Sequence, residues 1–121
     1  MQNAVTIQDV RALVERLDSA RSQEFELARE VNIWEREVKE IKALAVQAAY
    51  DNKEINEKNS DTRSAGEKAA VAAHSGVAAT TEELDMARLR LDNAKAVRMS
   101  LEDEASLTRA WLYSQAGMPL G

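Results

Sequence analysis

A heptad stripe running from Val10 to Ile55 limits what this chain can become. Positions seven apart read Val10, Leu17, Glu24, Val31, Val38, Ala45 and Asn52. The companion series, three residues on, reads Leu13, Ala20, Leu27, Trp34, Ile41, Ala48 and Ile55. The second series is wholly apolar, and the first fails only at Glu24 and Asn52. An apolar seam with this period belongs to a long helix that hides it against another helix. The start of that helix is marked by Thr6, with Asp9 at the capping-box position and Val5 and Val10 at those of a hydrophobic staple. These signals predict helix 1 over about residues 6–56, with Glu35–Lys39 and Glu54–Lys58 as i,i+4 pairs on its surface.

The stripe ends in a polar break, Asp51 to Arg63, that holds three Asn, a Ser and Asp61. Such side chains compete with helical hydrogen bonds and favour caps and turns. Asn59 or Ser60 is the expected cap of a short helix 2 over about 60–75, crossing an Ala-rich stretch and ending near Gly76 as a left-handed stop. Thr80 and Glu83 form the next capping box, predicting helix 3 over about 81–116, with Gly117 and Pro119 ending it. The stripe of helix 3 is Leu84, Ala87, Leu91, Ala94, Leu101, Ala105, Thr108 and Leu112, interrupted by Arg98. A second apolar set, Leu89, Val97, Leu107 and Trp111, lies off it. The expectation is a single all-α domain over 1–121. It is a long antiparallel helical hairpin, coiled-coil-like, with a short helix at the tip. Several hairpins pack into an oligomeric helical bundle through the leftover faces.

Composition agrees. Charged residues make up 31% and aromatics 4%, and there is one Pro. Much of the 45% apolar content is Ala, so one copy builds a thin core, and sharing surface between copies is the usual remedy. The net charge of −5 comes from 21 acidic and 16 basic residues, interleaved without a Lys/Arg block. That balance gives no footprint for strong phosphate binding and leaves room only for localised nucleic-acid contact. Cysteine is absent, which removes disulfides, thiolate metal sites and cysteine nucleophiles. With no apolar run near the length of a membrane span and no signal-peptide pattern, the expectation is a cytoplasmic protein without membrane contact.

Catalytic signals are sparse. His74 is the only histidine. It has no second histidine with which to share a metal, so a capping or surface role near a helix end is expected. The acidic clusters around Glu35 and Glu102 lack the Glu-x-x-His pairs of a di-metal bundle. Neither phosphate-loop pattern occurs. The reading is non-enzymatic, with no cofactor and no metal. Glu24 and Arg98 are expected to fix register or oligomer state, as polar intrusions into apolar series do. In an antiparallel hairpin they need not meet within one chain. Trp34 is expected to pack on the seam. Trp111 and Tyr113, near the C-terminal end, are candidates for a subunit or partner contact.

At the polar break the sequence reads Lys58-Asn59-Ser60-Asp61-Thr62-Arg63. This Lys-Asn-x-x-x-Arg element between two long helices resembles small phage-encoded proteins of recombination and replication gene modules. Where that group usually carries Gly before the Lys-Asn pair, Glu57 stands here. The resemblance implies a phage accessory factor of DNA recombination or replication, with a protein partner in a recombination complex. It makes Lys58, Asn59 and Arg63 the functional candidates, with Lys68 gathered beside them. Their structural alternative is that Asn59 caps helix 2 and Arg63 pairs with Asp61 or Glu67. Two other roles compete: direct single-stranded DNA binding at the tip, and sequestration of a small molecule or protein of a host defence system.

Overall fold

The structure is a computed structural model that describes residues 4–116. It is all-helical, with no strand among the described residues: α1 spans Ile7–Asp51, α2 Ser60–Ala73 and α3 Ser75–Gln115. The chain divides into two compact units, Met1–Ala28 with Arg90–Gly121, and Arg29–Leu89. In each, a length of α1 packs against a length of α3.

In the first unit the two helices run antiparallel. Val5 donates its N–H to Gln115 Oε1 at 2.9 Å, Arg16 pairs with Glu104, and Arg98 pairs with Glu24. As one residue number rises its partner's falls. α1 begins where Thr6 and Asp9 cap each other reciprocally, at 2.9 and 3.1 Å. Leu13, Ala20 and Leu101 form the buried cluster, with Leu17 and Ala105 packed against it. Heptad spacing selected all five, because a period of 3.5 keeps one face turned to a neighbouring helix.

In the second unit the seam is Val31, Val38, Ala45 and Ala49 of α1 with Val77, Leu84 and Ala87 of α3. The heptad series names Ala48 where the structure buries Ala49. A straight α-helix drifts about 20° per heptad against a strict 3.5-residue repeat, and a one-residue step restores the facing position. Gly76 lies here too. A Cβ on it would stand 2.8 Å from Ile41 Cδ1 and from His74 Cε1, so glycine serves close approach and not a left-handed stop. The expected terminator at Gly76 is therefore corrected.

Three boundaries differ from the sequence reading, each for a local reason. α1 ends at Asp51, five residues early, because Lys53 adopts φ 58°. Glu54 then donates its N–H to Ala49 and Lys53 to Tyr50, the paired bonds of a Schellman stop. Ile55, the last member of the stripe, is buried beyond the helix it was assigned to. α2 ends at Ala73, where His74 caps it. α3 then starts at Ser75, well before Thr80. The Thr80 hydroxyl bonds back to the Gly76 carbonyl at 2.7 Å, as a threonine inside a helix does. Gly117 and Pro119, the expected end of α3, lie outside the described residues.

A lysine in the left-handed region costs roughly 1 kcal/mol that glycine does not. Lys53→Gly is expected to raise unfolding free energy by about that amount, and Lys53→Val to lower it. Chemical denaturation followed by circular dichroism reads both.

Candidate functional site

Three groups of candidate residues can be placed. The first is the turn into α2. Asn59 has extended backbone, φ −149° and ψ 169°, and its Oδ1 accepts the Thr62 N–H at 2.9 Å. The Thr62 hydroxyl in turn accepts from the Asn59 N–H at 3.4 Å, completing a capping box. Lys58 donates its N–H to Asn56 Oδ1 at 3.0 Å, and Arg63 donates its own to the Asn59 carbonyl. Lys58, Asn59, Arg63 and Lys68 are all exposed. Arg63 forms no ion pair with Asp61 or Glu67 within 4 Å among the described residues, so its expected pairing is absent. The lysine at 54–58 likewise loses its helical partner, since Glu54 lies past the end of α1. Between Asp51 and Lys68 stand five acids and four bases, a near balance that creates no positive field.

Two features of this region escaped the heptad reading. Tyr50 donates its hydroxyl to Glu67 Oε1 at 2.6 Å, tying the end of α1 to α2. That bond raises the Tyr50 pKa from 10.0, followed by desolvation and the charges of Glu67 and Glu57, against a lowering by Arg63. The sequence signal was available: a tyrosine at the end of an apolar stripe presents one dry face and one polar tip. Beside the bond, Lys42, Val46, Glu67, Lys68, Val71 and Ala72 line an open groove of about 390 Å³. No residue of α2 is buried. It meets the rest of the unit at Tyr50–Glu67 and at the seat of Gly66 on Ile55, where a Cβ would come within 2.9 Å of Ile55 Cγ2.

The second group is the pair of polar intrusions, Glu24 and Arg98. They meet within one chain, a pairing that antiparallel packing allows but does not require. Arg98 Nε donates to Glu24 Oε2, Nη2 reaches Glu24 Oε1 at 3.3 Å, and Nη1 reaches Glu102 Oε2 at 3.0 Å. Arg21 pairs with the other Glu102 oxygen at 3.6 Å. The side chains of Arg98 and Glu24 are 27% and 19% exposed, so each substitutes for a core residue while keeping an edge in water. The bonds to Glu24 and then Glu102 raise the Arg98 pKa above its ordinary value, which leaves the guanidinium charged throughout the accessible range. A planar fork on a carboxylate demands fixed geometry.

The third group is Trp111 and Tyr113, on the last turns of α3 at 37% and 42% exposed. Trp34 is partly buried on the seam. His74 accepts the Val77 N–H on Nδ1 at 3.2 Å, while its own backbone closes α2. It therefore takes the capping role near a helix end that its place in the sequence suggests, serving the end of α2 and the start of α3. Among the described residues no cluster of three or more His, Asp or Glu could hold a metal ion, and no helix is long and apolar enough to cross a membrane. No family model, curated protein or solved structure matches the chain.

The phenol bond makes an alkaline prediction with a defined sign. A raised native pKa means full stabilisation below the ordinary tyrosine range, lost as pH rises through the native value. Stability should therefore fall on the alkaline side of pH 10, and Tyr50→Phe should flatten that part of the profile. For the cap, Asn59→Ala is expected to cost about 1 kcal/mol. Asn59→Asp should keep most of it, since aspartate accepts the same bond. Thermal melts of the two variants measure the difference.

Proposed function

We propose that this chain works by binding rather than catalysis, as a homo-oligomer of antiparallel helical hairpins with α2 at the tip. One observation carries the reading: many large apolar side chains lie outside a core that is rich in alanine. Among the described residues the buried core holds twelve apolar side chains, of which five are Ala and none is aromatic. Ile7, Phe25, Leu44, Leu89, Leu107 and Trp111 are among thirteen large apolar side chains left exposed. Scattered surface apolar residues need no explanation. A chain with an alanine-rich core and Phe25, Leu107 and Trp111 exposed reads as one member of an assembly.

Within that reading, a role as a phage accessory factor of DNA recombination or replication is supported by the Lys58-Asn59-x-x-x-Arg63 element alone. The exposed side chains of Lys58, Arg63 and Lys68 are available to a partner. The near-neutral balance around them favours a protein partner over bare phosphate.

Light scattering at micromolar concentration is expected to give a mass that is a multiple of the monomer's. A monomer would sink the assembly. Single-stranded DNA should give no shift at physiological salt and at most a salt-sensitive one at low salt. A tight shift abolished by Arg63→Ala would instead establish the DNA-binding alternative.

A further inference from the structure

Within its unit α2 is joined by very little. None of its 14 residues is buried. The half-buried ones, Gly66, Glu67, Ala70 and Val71, recur at helical spacing and mark one face of the helix. Val71 is the only large apolar side chain on that face, and it shares a groove of about 390 Å³ with Val46 of α1. The seam of the same unit is of another kind, for Val38, Ala45, Ala49, Val77 and Leu84 are all buried.

Two fixings hold α2 in place. The Tyr50 hydroxyl donates to Glu67 Oε1 at 2.6 Å, midway along the helix. One position away, Gly66 rests on Ile55, the one buried residue of the connector 52–59. A Cβ on Gly66 would stand 2.9 Å from Ile55 Cγ2 and 3.4 Å from Ile55 Cβ. Glycine inside a helix is less stable than alanine, and a β-branched neighbour is too stiff to swing aside. Residue 66 thus trades helix strength for closeness to Ile55. Both ends of α2 are capped, by Asn59 with Thr62 at the start and by His74 at the finish. A helix closed at both ends resists fraying, so its weakest boundary lies against the unit and not within itself. Once detached, a helix of this length is marginal in water, so leaving the surface and losing helical structure are one event.

We propose that α2 is a strap, latched by Tyr50–Glu67, that opens as one piece while the α1–α3 seam of its unit stays closed. α1 already stops at the left-handed Lys53, so the connector can swing without unwinding it, and His74 is the joint on the other side. Opening bares Ile55 and the Val46 wall of the groove. Lys58, Arg63 and Lys68 ride on the strap or its connector, so its position decides where those charges stand. The strap is a property of one chain and goes beyond the assembly proposed above without resting on it.

Native-state hydrogen exchange of the full-length protein, read by mass spectrometry, tests the strap. Amides of 60–73 should share one level of protection and exchange at least about tenfold faster than those of 38–49 and 84–89. Tyr50→Phe should speed 60–73 by about a further fivefold, the worth of one hydrogen bond, and leave the two seam segments unchanged. Glu67→Gln, whose amide oxygen still accepts the phenol, should stay close to wild type. Gly66→Ala decides by sign: helix propensity alone would slow exchange of 60–73, whereas the clash with Ile55 should speed it. Protection of 60–73 equal to that of the seam overturns the strap, as does exchange graded inward from the ends of α2. So does a Tyr50→Phe variant that speeds all three segments alike, or a Gly66→Ala variant that slows 60–73. Light scattering reads the assembly separately, so either reading can fail without the other.

Discussion

The rest of this structure depends on a seam built from small residues. Ala20, Ala45, Ala49, Ala87 and Ala94 occupy positions where a longer side chain would fill space. Alanine allows two helix backbones to approach and costs almost no side-chain entropy. It also removes little apolar area from water, and burial yields only about 25 cal/mol per Å². The seam is therefore good at holding two helices close and poor at holding them strongly. The remaining stabilisation comes from caps and ion pairs at the edges of each unit.

Where alanine lines the seam it is also poor at specifying register, because one methyl fits a neighbour's hole much like the next. The Arg98 fork on Glu24 and Glu102 supplies what packing lacks. Sliding either helix by one turn would move the guanidinium off Glu24 and leave a half-buried carboxylate opposite apolar groups. That penalty falls on every misregistered state and not on the native one. Arg16–Glu104 and Arg21–Glu102, being more exposed, add little strength on their own but extend the same selection along the unit.

Legibility in the sequence followed the range of the interaction. The capping boxes at Thr6/Asp9 and at Asn59 were readable because both partners lie within three residues, and the core positions were readable because the seam repeats. The Thr80 box misled because a hydroxyl bonding backward to Gly76 leaves the same local signature as one bonding forward. Lys53 carried no signal, since a left-handed lysine is selected by the bonds that Tyr50 and Ala49 accept and not by its own preference. Glu24 and Arg98 were visible singly, as faults in two stripes. Their pairing across 74 residues needed the structure, as did the Tyr50–Glu67 bond. Of the tip residues, Asn59 is explained as a cap, while the side chains of Lys58 and Arg63 acquired no structural task.

His74 joins α2 to α3 as a linker of one residue. Its backbone N–H closes α2 on Val71, and its carbonyl and Nδ1 both accept from Val77 at the opening of α3. Two helices that share a cap do not fray independently, since unwinding the last turn of α2 displaces the imidazole that secures the first turn of α3. α2 has no buried residue of its own, so it borrows cooperativity through this joint from a helix that has. Loss of the Tyr50–Glu67 tether midway along α2 would be felt at Val77 beyond its C-terminal end, and the short helix would let go as one piece.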